Sequence, residues 1–553
     1  MKLREWQEKL SEKVVDALRN NFLVILQAPT GSGKTIFALY TSLKAKSKAI
    51  FVVRTHNEFF PVYRELSTHF TDKQYAFLVG KSSACVFSNS DTDPQDIYCK
   101  GCELFNAVSL KINDPPAVAL SKIKQDAVKF GYCPYYSLLE SVKSADVIIL
   151  TYPYLFVPWL REALDIVWED YVIVVDEAHN IENIHNIEEK KLSEKIIDLA
   201  INQARSQQAK NVLKKLKNKI AKIVHSDEKY ILINNIEEIK LSEDETQILK
   251  EEYDEIRKNM IINKQISRNY IGSILRFFEI INDSRIKVFS YYNTLVAKYI
   301  VSSDFVNILN DEKLTFMLMS GTMQPIEYLR NVLGISRKFV YIDVEKVTKT
   351  KISGSYECLI SIDVSSAYSL RSEQMINRYA SYLLKIFYNS RSHILAIFPS
   401  YEFMNKVAKL IKNIPYIVEN PDISIEEVIS KVKNNNNSKK LLIMGIARGK
   451  LSEGIEITSD GRSLISDTVI AGIPYPPVDD YFKLRAQEIM KILNKEYDRE
   501  LIKIQALIAV KQAIGRGIRS PADHSIVWLL DKRFDNVWWK RELNCLNARK
   551  IKL

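Results

Sequence analysis

No apolar run in the sequence extends to the roughly 18 residues needed to cross a bilayer as a helix. The opening residues, MKLREWQEKLSEKVVDAL, lack the apolar core of a signal peptide and read as a mixed-charge amphipathic stretch. These absences lead to the expectation of a cytoplasmic protein with no membrane partner. Cysteine is scarce, with six in 553 residues, and a cytosolic setting does not favour a disulfide framework. An excess of acid is missing too. The chain holds 78 Lys and Arg against 67 Asp and Glu, a net charge of +11 with a pI near 9.0. That balance suits a polyanionic partner without establishing one, because surplus lysine also simply solvates a surface.

What is present fits a globular enzyme of several domains: 46% hydrophobic and 26% charged residues, in a chain too long for one core. Short apolar runs at 22–27, 49–53, 146–150, 171–176 and 314–320 read as core strands of a parallel sheet, with helical patterns between several of them. A second alternation follows at 393–398, 416–419, 441–446, 468–472 and 525–530. The fold class is therefore α/β, with two doubly wound lobes. Two blocks interrupt the first lobe. Residues 81–144 hold four of the six cysteines, and residues 187–300 are rich in lysine, glutamate and isoleucine and read as all-helical. In the latter, Leu249, Tyr253, Ile256 and Met260 share one helical face, and Ser242 with Glu245 forms a capping box ahead of it. The expected domains are lobe one (1–80, 145–186 and 301–345), the cysteine insertion (81–144), the helical insertion (187–300) and lobe two (346–553).

The segment from Ala28 to Thr35 follows a strand and precedes a helix, the context of a P-loop. Thr30, Gly31, Ser32, Gly33, Lys34 and Thr35 are candidates to hold ATP. Backbone N–H groups surround phosphate oxygens, the helix start adds its dipole, Lys34 reaches the β- and γ-phosphates, and the Thr35 hydroxyl sits on Mg²⁺. At the end of the 171–176 strand, Asp176 is placed to hold Mg²⁺ and Glu177 to orient and deprotonate the attacking water. His179 is a candidate coupling residue, as are Ser320 and Thr322. Far downstream, Gln512, Arg516 and Arg519 fall on one helical face, where the two guanidinium groups can meet charge developing on the γ-phosphoryl group.

Cys85, Cys99, Cys102 and Cys133 share one insertion and can ligate a [4Fe–4S] cluster or a zinc ion; their spacing alone leaves both open. Cys358 and Cys545 stand apart and read as packing residues. Single strands are held on basic grooves and aromatic platforms. Arg54, His56, Tyr152, Tyr154 and Phe156 follow core strands of lobe one, and Phe398 and Tyr401 follow one of lobe two, as candidates for a DNA track.

Taken together these motifs resemble a superfamily-two helicase, and within it the XPD family of iron–sulfur DNA repair helicases. The matching segments are Arg4-Glu5-Trp6-Gln7, the P-loop, Arg54-Thr55-His56-Asn57, Thr151-Tyr152-Pro153-Tyr154-Leu155, Asp176-Glu177-Ala178-His179, Ser320-Gly321-Thr322, Phe398-Pro399-Ser400-Tyr401, Gly449 to Glu456 and Gln512 to Arg519. The resemblance implies two RecA-like domains, a helical arch, a [4Fe–4S] cluster on the four cysteines, and 5′-to-3′ movement on single-stranded DNA. It also implies contact of Arg4 and Gln7 with the nucleotide and a part for Gly454 and Glu456 in the ATP site, although Glu456 stands where many relatives carry aspartate. The expected cofactors are ATP, Mg²⁺ and the cluster. The expected partners are single-stranded and forked DNA and repair proteins, with the chain acting as a monomer. The residues also allow an ATP-gated clamp that does not unwind, or an RNA helicase with a zinc insertion.

Overall fold

The computed structural model describes residues 2–553 except 30, 90, 350, 351, 353, 421, 422, 435–439, 454–456, 460 and 494–497. Thr30, Gly454 and Glu456 therefore lie outside the described residues. Two seven-stranded parallel sheets dominate. In the first, Leu23–Gln27, Thr315–Ser320, Val172–Val175, Ala49–Val53 and Val147–Thr151 are neighbours in that order, flanked by Phe339–Asp343 and Tyr75–Phe77. The inner strands are buried, which is why the sequence shows unbroken Val, Ile and Leu runs where a one-faced strand would alternate. Each such side chain contributes about 1.5–3 kcal/mol by leaving water.

The second sheet runs Tyr416–Val418, Leu442–Ile446, His393–Phe398, Ile465–Ile470, His524–Leu529, Ser355–Ser361 and Arg549–Ile551. In the first sheet the functional segments leave the carboxyl ends of the strands, where doubly wound sheets form their crevices, whereas Gln512–Arg519 of the second lobe runs off the end of a helix ahead of the His524–Leu529 strand. Six helices matter below: α1 (Glu5–Arg19), α2 (Lys34–Lys46), α3 (Glu243–Ile262), α4 (Tyr270–Ile280), α5 (Asp480–Leu493) and α6 (Asp498–Arg516).

The insertion at 187–300 is not all-helical. It also carries a four-stranded antiparallel sheet in the order Lys190–Ser193, Thr294–Lys298, Lys287–Tyr291 and Ile231–Leu232. The strands have only two to five residues, and apart from the hairpin of Lys287–Tyr291 with Thr294–Lys298 they come from distant parts of the block, so no single stretch shows a sustained period of two. The expected helix over Leu249 to Met260 lies within α3, and the Ser242–Glu245 capping box forms.

The two lone cysteines also correct an expectation. Cys358 and Cys545, 187 positions apart, form a disulfide with Cα atoms 5.7 Å apart. It ties the Ser355–Ser361 strand to the turn after the helix Val537–Glu542.

Candidate functional site: a nucleotide cleft between two lobes

The P-loop is held from below by α1. Arg4 Nη1 donates to the Gly31 carbonyl at 2.7 Å, Trp6 Nε1 to that of Ser32 at 3.1 Å and Gln7 Nε2 to that of Gly33 at 3.0 Å. In a planar peptide the N–H points opposite its carbonyl, so these bonds turn the Gly33 and Lys34 N–H groups away from α1. Arg4 and Gln7, expected at the nucleotide, thus bond to the loop that would hold it. Trp6, which the motif reading gave no role, completes the set. Gly31 and Gly33 have φ of +76° and +89°, a conformation open to glycine. The buried Ser32 hydroxyl has no hydrogen-bond partner, which suits a loop awaiting a polar ligand. Lys34, at the start of α2, is buried and lies 3.3 Å from the Pro29 carbonyl.

Asp176 and Glu177 follow the Val172–Val175 strand, and Glu177 takes φ of +44°, an uncommon conformation for a side-chain-bearing residue. A directed chain of contacts converges on its carboxylate. Gln512 Nε2 lies 2.7 Å from His179 Nε2, His179 Nδ1 lies 2.8 Å from Ser320 Oγ, and that hydroxyl donates to Glu177 Oε2 at 3.3 Å. With the glutamine amide donating to Nε2, the proton resides on Nδ1 and every donor points toward the acid. Burial works against ionisation of Glu177, but the hydrogen bonding of His179 and the charges of Lys34 and Arg516 hold its carboxyl well below the usual range. Asp176 moves the other way. Burial and the adjacent Glu177 charge push it up to about 7, Lys34 opposing.

The lobes meet here. A Cβ on Gly31 would stand 2.0 Å from the Arg519 carbonyl oxygen, so the end of the Gln512–Arg519 segment lies directly on the P-loop. Arg516 Nε donates to the Ser452 carbonyl at 2.8 Å. Gln512, His179, Ser320, Glu177, Lys34, Arg516 and Arg519 thereby surround one cleft, although the sequence spreads them over nearly the whole chain. Thr322 is buried beside them, its N–H bonded to Ser320 Oγ at 3.2 Å.

The aromatic DNA track is not formed as expected. Tyr154 and Phe398 are buried, and the Tyr154 hydroxyl donates to the Val79 carbonyl at 3.0 Å, so neither offers a ring face to a base. Tyr152 and Phe156 are buried as well. The Tyr152 hydroxyl lies 2.5 Å from the Asp176 carbonyl oxygen and 3.0 Å from that of Glu177, making it a strut under the acid turn. Tyr152, Tyr154 and Phe156 lie on a short helix, Tyr152–Phe156, that packs back against the sheet, and Phe398 is the buried last residue of its strand. Arg54 and His56 are exposed and Tyr401 is half-buried.

Cys85, Cys99, Cys102 and Cys133 line one small cavity with Ile97, Phe105, Tyr135, the cation Lys81 and, from α3, Ile261. Burial pushes the thiols of Cys99, Cys102 and Cys133 up. Among the described residues no three His, Cys, Asp or Glu side chains converge as a single-ion site. The insertion is clamped to the 187–300 block by a buried ion pair, Arg276 to Asp96 at 2.8 Å, with Asn269 N–H donating to the same carboxylate at 2.9 Å. Gly272 is required there: a Cβ would stand 2.5 Å from the Tyr253 ring and 2.9 Å from both Arg276 and Asp96.

The comparisons with known proteins agree with this geometry. A helicase C-terminal domain family matches residues 383–547, and the DEAD_2 family matches 51–197. The ATP-dependent DNA helicase XPD of Sulfolobus acidocaldarius is 48% identical over the full length of both chains. The chain belongs to the XPD helicase family. A solved XPD helicase structure, also 48% identical, superposes with a TM-score of 0.93 over 100% of both chains. An apo XPD structure, 44% identical, gives 0.80 over 99% of this chain and all of that one. Two RecA-like α/β domains are thus the architecture of this family member. Among the described residues no helix is long and apolar enough to cross a membrane.

Proposed function

We propose that this XPD-family chain is an ATP-dependent DNA helicase that moves 5′ to 3′ along single-stranded DNA and opens forked duplex, serving DNA repair by nucleotide excision. The observation that carries the motor reading is the apposition of Arg519 on the P-loop together with the Gln512–His179 contact. A cleft built from both lobes senses the γ-phosphate only when they are closed, so hydrolysis and lobe movement become one event.

In this reading Lys34 and the loop N–H groups hold the phosphates. Glu177 takes the proton of the attacking water, kept ionised by the chain through Ser320 and His179. Arg516 and Arg519 stabilise charge on the transferring phosphoryl group. Thr35 and Asp176 would hold Mg²⁺, which neutralises phosphate charge. Arg54, His56 and Tyr401 remain the accessible candidates for contact with the strand.

The four-thiol set in an apolar cavity fits a [4Fe–4S] cluster, which would staple an insertion with little core of its own. We assign the chain to the cytoplasm as a monomer that meets repair proteins at its DNA substrate.

The test is unwinding of forked duplexes carrying only a 5′ or only a 3′ single-stranded tail, with anaerobically purified protein and its iron and zinc measured beside it. ATP-dependent opening of the 5′-tailed fork alone, with iron, is the expected result. DNA-stimulated hydrolysis without opening would make the chain a clamp. Stronger stimulation by RNA, with zinc in place of iron, would overturn the DNA assignment.

A further inference from the structure

Glu182 lies three residues beyond His179, is almost fully buried, and no catalytic step above uses it. Its carboxylate is shared by three other segments. Oε1 accepts from Arg485 Nη2 of α5 at 2.8 Å and from Gln505 Nε2 of α6 at 3.1 Å. Oε2 accepts at 3.2 Å from Gln324, which follows the Thr315–Ser320 strand. The Glu182 carbonyl accepts from Ser302 Oγ at 2.7 Å and from Arg485 at 3.3 Å, and Arg485 Nη1 donates to Asn183 Oδ1 at 3.1 Å. Glu182 follows a strand of the first sheet, whereas Arg485 and Gln505 lie on α5 and α6, which come after Ile465–Ile470 of the second; Phe482, Ala486 and Ile489 of α5 pack into the core of the first sheet, so α5 bridges the two lobes.

The spacing on α6 gives this cluster its meaning. Gln505 and Gln512 are seven residues apart, two helical turns, and so share a face about 10 Å apart along the axis. Glu182 binds the first and His179 binds the second. A rod held at one point can still rotate and slide. Held at two points on one face, its rotation and axial register are fixed together. Arg516 sits one further turn along the same helix, where its charge acts on Glu177, so its place beside the acid follows from that register.

We propose that Glu182 is a positioning residue: through Arg485 and Gln505 it sets the register of α6 against lobe one and thereby places Gln512 and Arg516 for hydrolysis. This rests on the motor reading above. It requires Glu182 variants to lose turnover without losing nucleotide binding, because the P-loop and its α1 supports are untouched. The requirement also separates positioning from mere support, since a structural residue alters the amount of folded protein and leaves the folded fraction unchanged in rate.

The experiment measures kcat and KM for ATP at saturating single-stranded DNA, fluorescent-nucleotide Kd and thermal melting for wild type, Glu182→Gln, Glu182→Asp, Arg485→Gln and Gln505→Ala. Expected are a fall in kcat of about tenfold or more for Glu182→Gln and Arg485→Gln, and two- to fivefold for Gln505→Ala, with KM and Kd within twofold of wild type. Glu182→Asp, which keeps the charge and loses reach, should recover part of the rate. Gln505 is half-buried and neutral, so its variant keeps the test alive if the buried-pair variants fail to fold. The double variant Gln505→Ala/Gln512→Ala should be no slower than Gln512→Ala alone, since both contacts serve one register. Wild-type kcat in folded Gln505→Ala, or strictly multiplicative losses in the double variant, would overturn the proposal. Absence of DNA-stimulated hydrolysis in wild type would instead remove the motor reading beneath it.

Discussion

The nucleotide cleft and the cysteine insertion are built on opposite plans. In the cleft, polar groups from distant parts of the chain converge on space that a ligand must fill, and few of them support the fold. The insertion and its arch contact are dry: four thiols around a small apolar cavity, then Asp96 and Arg276 buried against each other. One region keeps charges for a substrate, whereas the other satisfies its charges internally. The lesson is a division of labour, with polar groups for chemistry in the cleft and a self-contained fold in the insertion. The two should then fail separately.

Glu177→Gln should produce the largest effect. It removes the base and keeps the phosphate cradle, so hydrolysis should fall by roughly 10³-fold while ATP still binds. Stopped-time ATPase and nucleotide titration check this, and robust turnover would remove Glu177 from its role. Lys34→Ala should abolish turnover as well, by loss of the phosphate contact itself.

Cys102→Ser attacks the other region. Iron content and unwinding should both be lost, with part of the DNA-stimulated ATPase kept, because no cysteine of the insertion enters the cleft. Equal loss of both activities would erase the contrast between the regions.

Smaller again is Cys358→Ser. The disulfide lies in lobe two, outside both regions, and its loss should lower stability by about 2–4 kcal/mol. Iron content and ATP KM should stay at wild-type values. Counting free thiols in denatured, unreduced protein gives the matching check: four react if the Cys358–Cys545 bond is present and the insertion thiols are free of metal.

How much of this could be read beforehand depended on whether the relevant chemistry is local in sequence. The P-loop, the Asp176–Glu177 pair and the Gln512–Arg519 face are each set by a few adjacent residues, and so was the strand preceding each of the first two. The Cys358–Cys545 bond was not legible, because two residues 187 positions apart carry no local sign of being neighbours. The sheet in the 187–300 block was missed partly for the same reason, since two of its three pairings span long intervals; the third, Lys287–Tyr291 with Thr294–Lys298, is a local hairpin of short strands. The Tyr152, Tyr154 and Phe398 assignment failed differently. A position after a strand marks the correct edge of the sheet, but whether a ring there faces solvent or packs inward depends on a rotation that one-dimensional spacing does not hold. Glu182 could have been suspected, since it stands three residues from His179, yet its partners Arg485 and Gln505 lie some 300 positions away.

The smallest expected effect concerns the cost of keeping adjacent buried acids in the cleft. Burial and the neighbouring Glu177 charge raise the Asp176 carboxyl to about 7, against an unfolded value of 3.8. Between those values the folded state binds more protons than the unfolded one, so this group makes stability fall as pH rises through the interval, and the loss is complete above pH 7. Asp176→Asn cannot ionise and escapes that loss. In nucleotide-free protein, the variant's melting temperature minus that of wild type should therefore increase from pH 4 to pH 7 and level off above. Saturating Mg²⁺ and nucleotide should reverse the order at pH 8, because a bound cation favours the ionised carboxylate that asparagine lacks. A difference independent of pH would mean that Asp176 is already ionised in the empty cleft. The proposed contrast between a cleft that holds its buried acids for a ligand and an insertion that pairs Asp96 with its own Arg276 contact would then fail at its central residue.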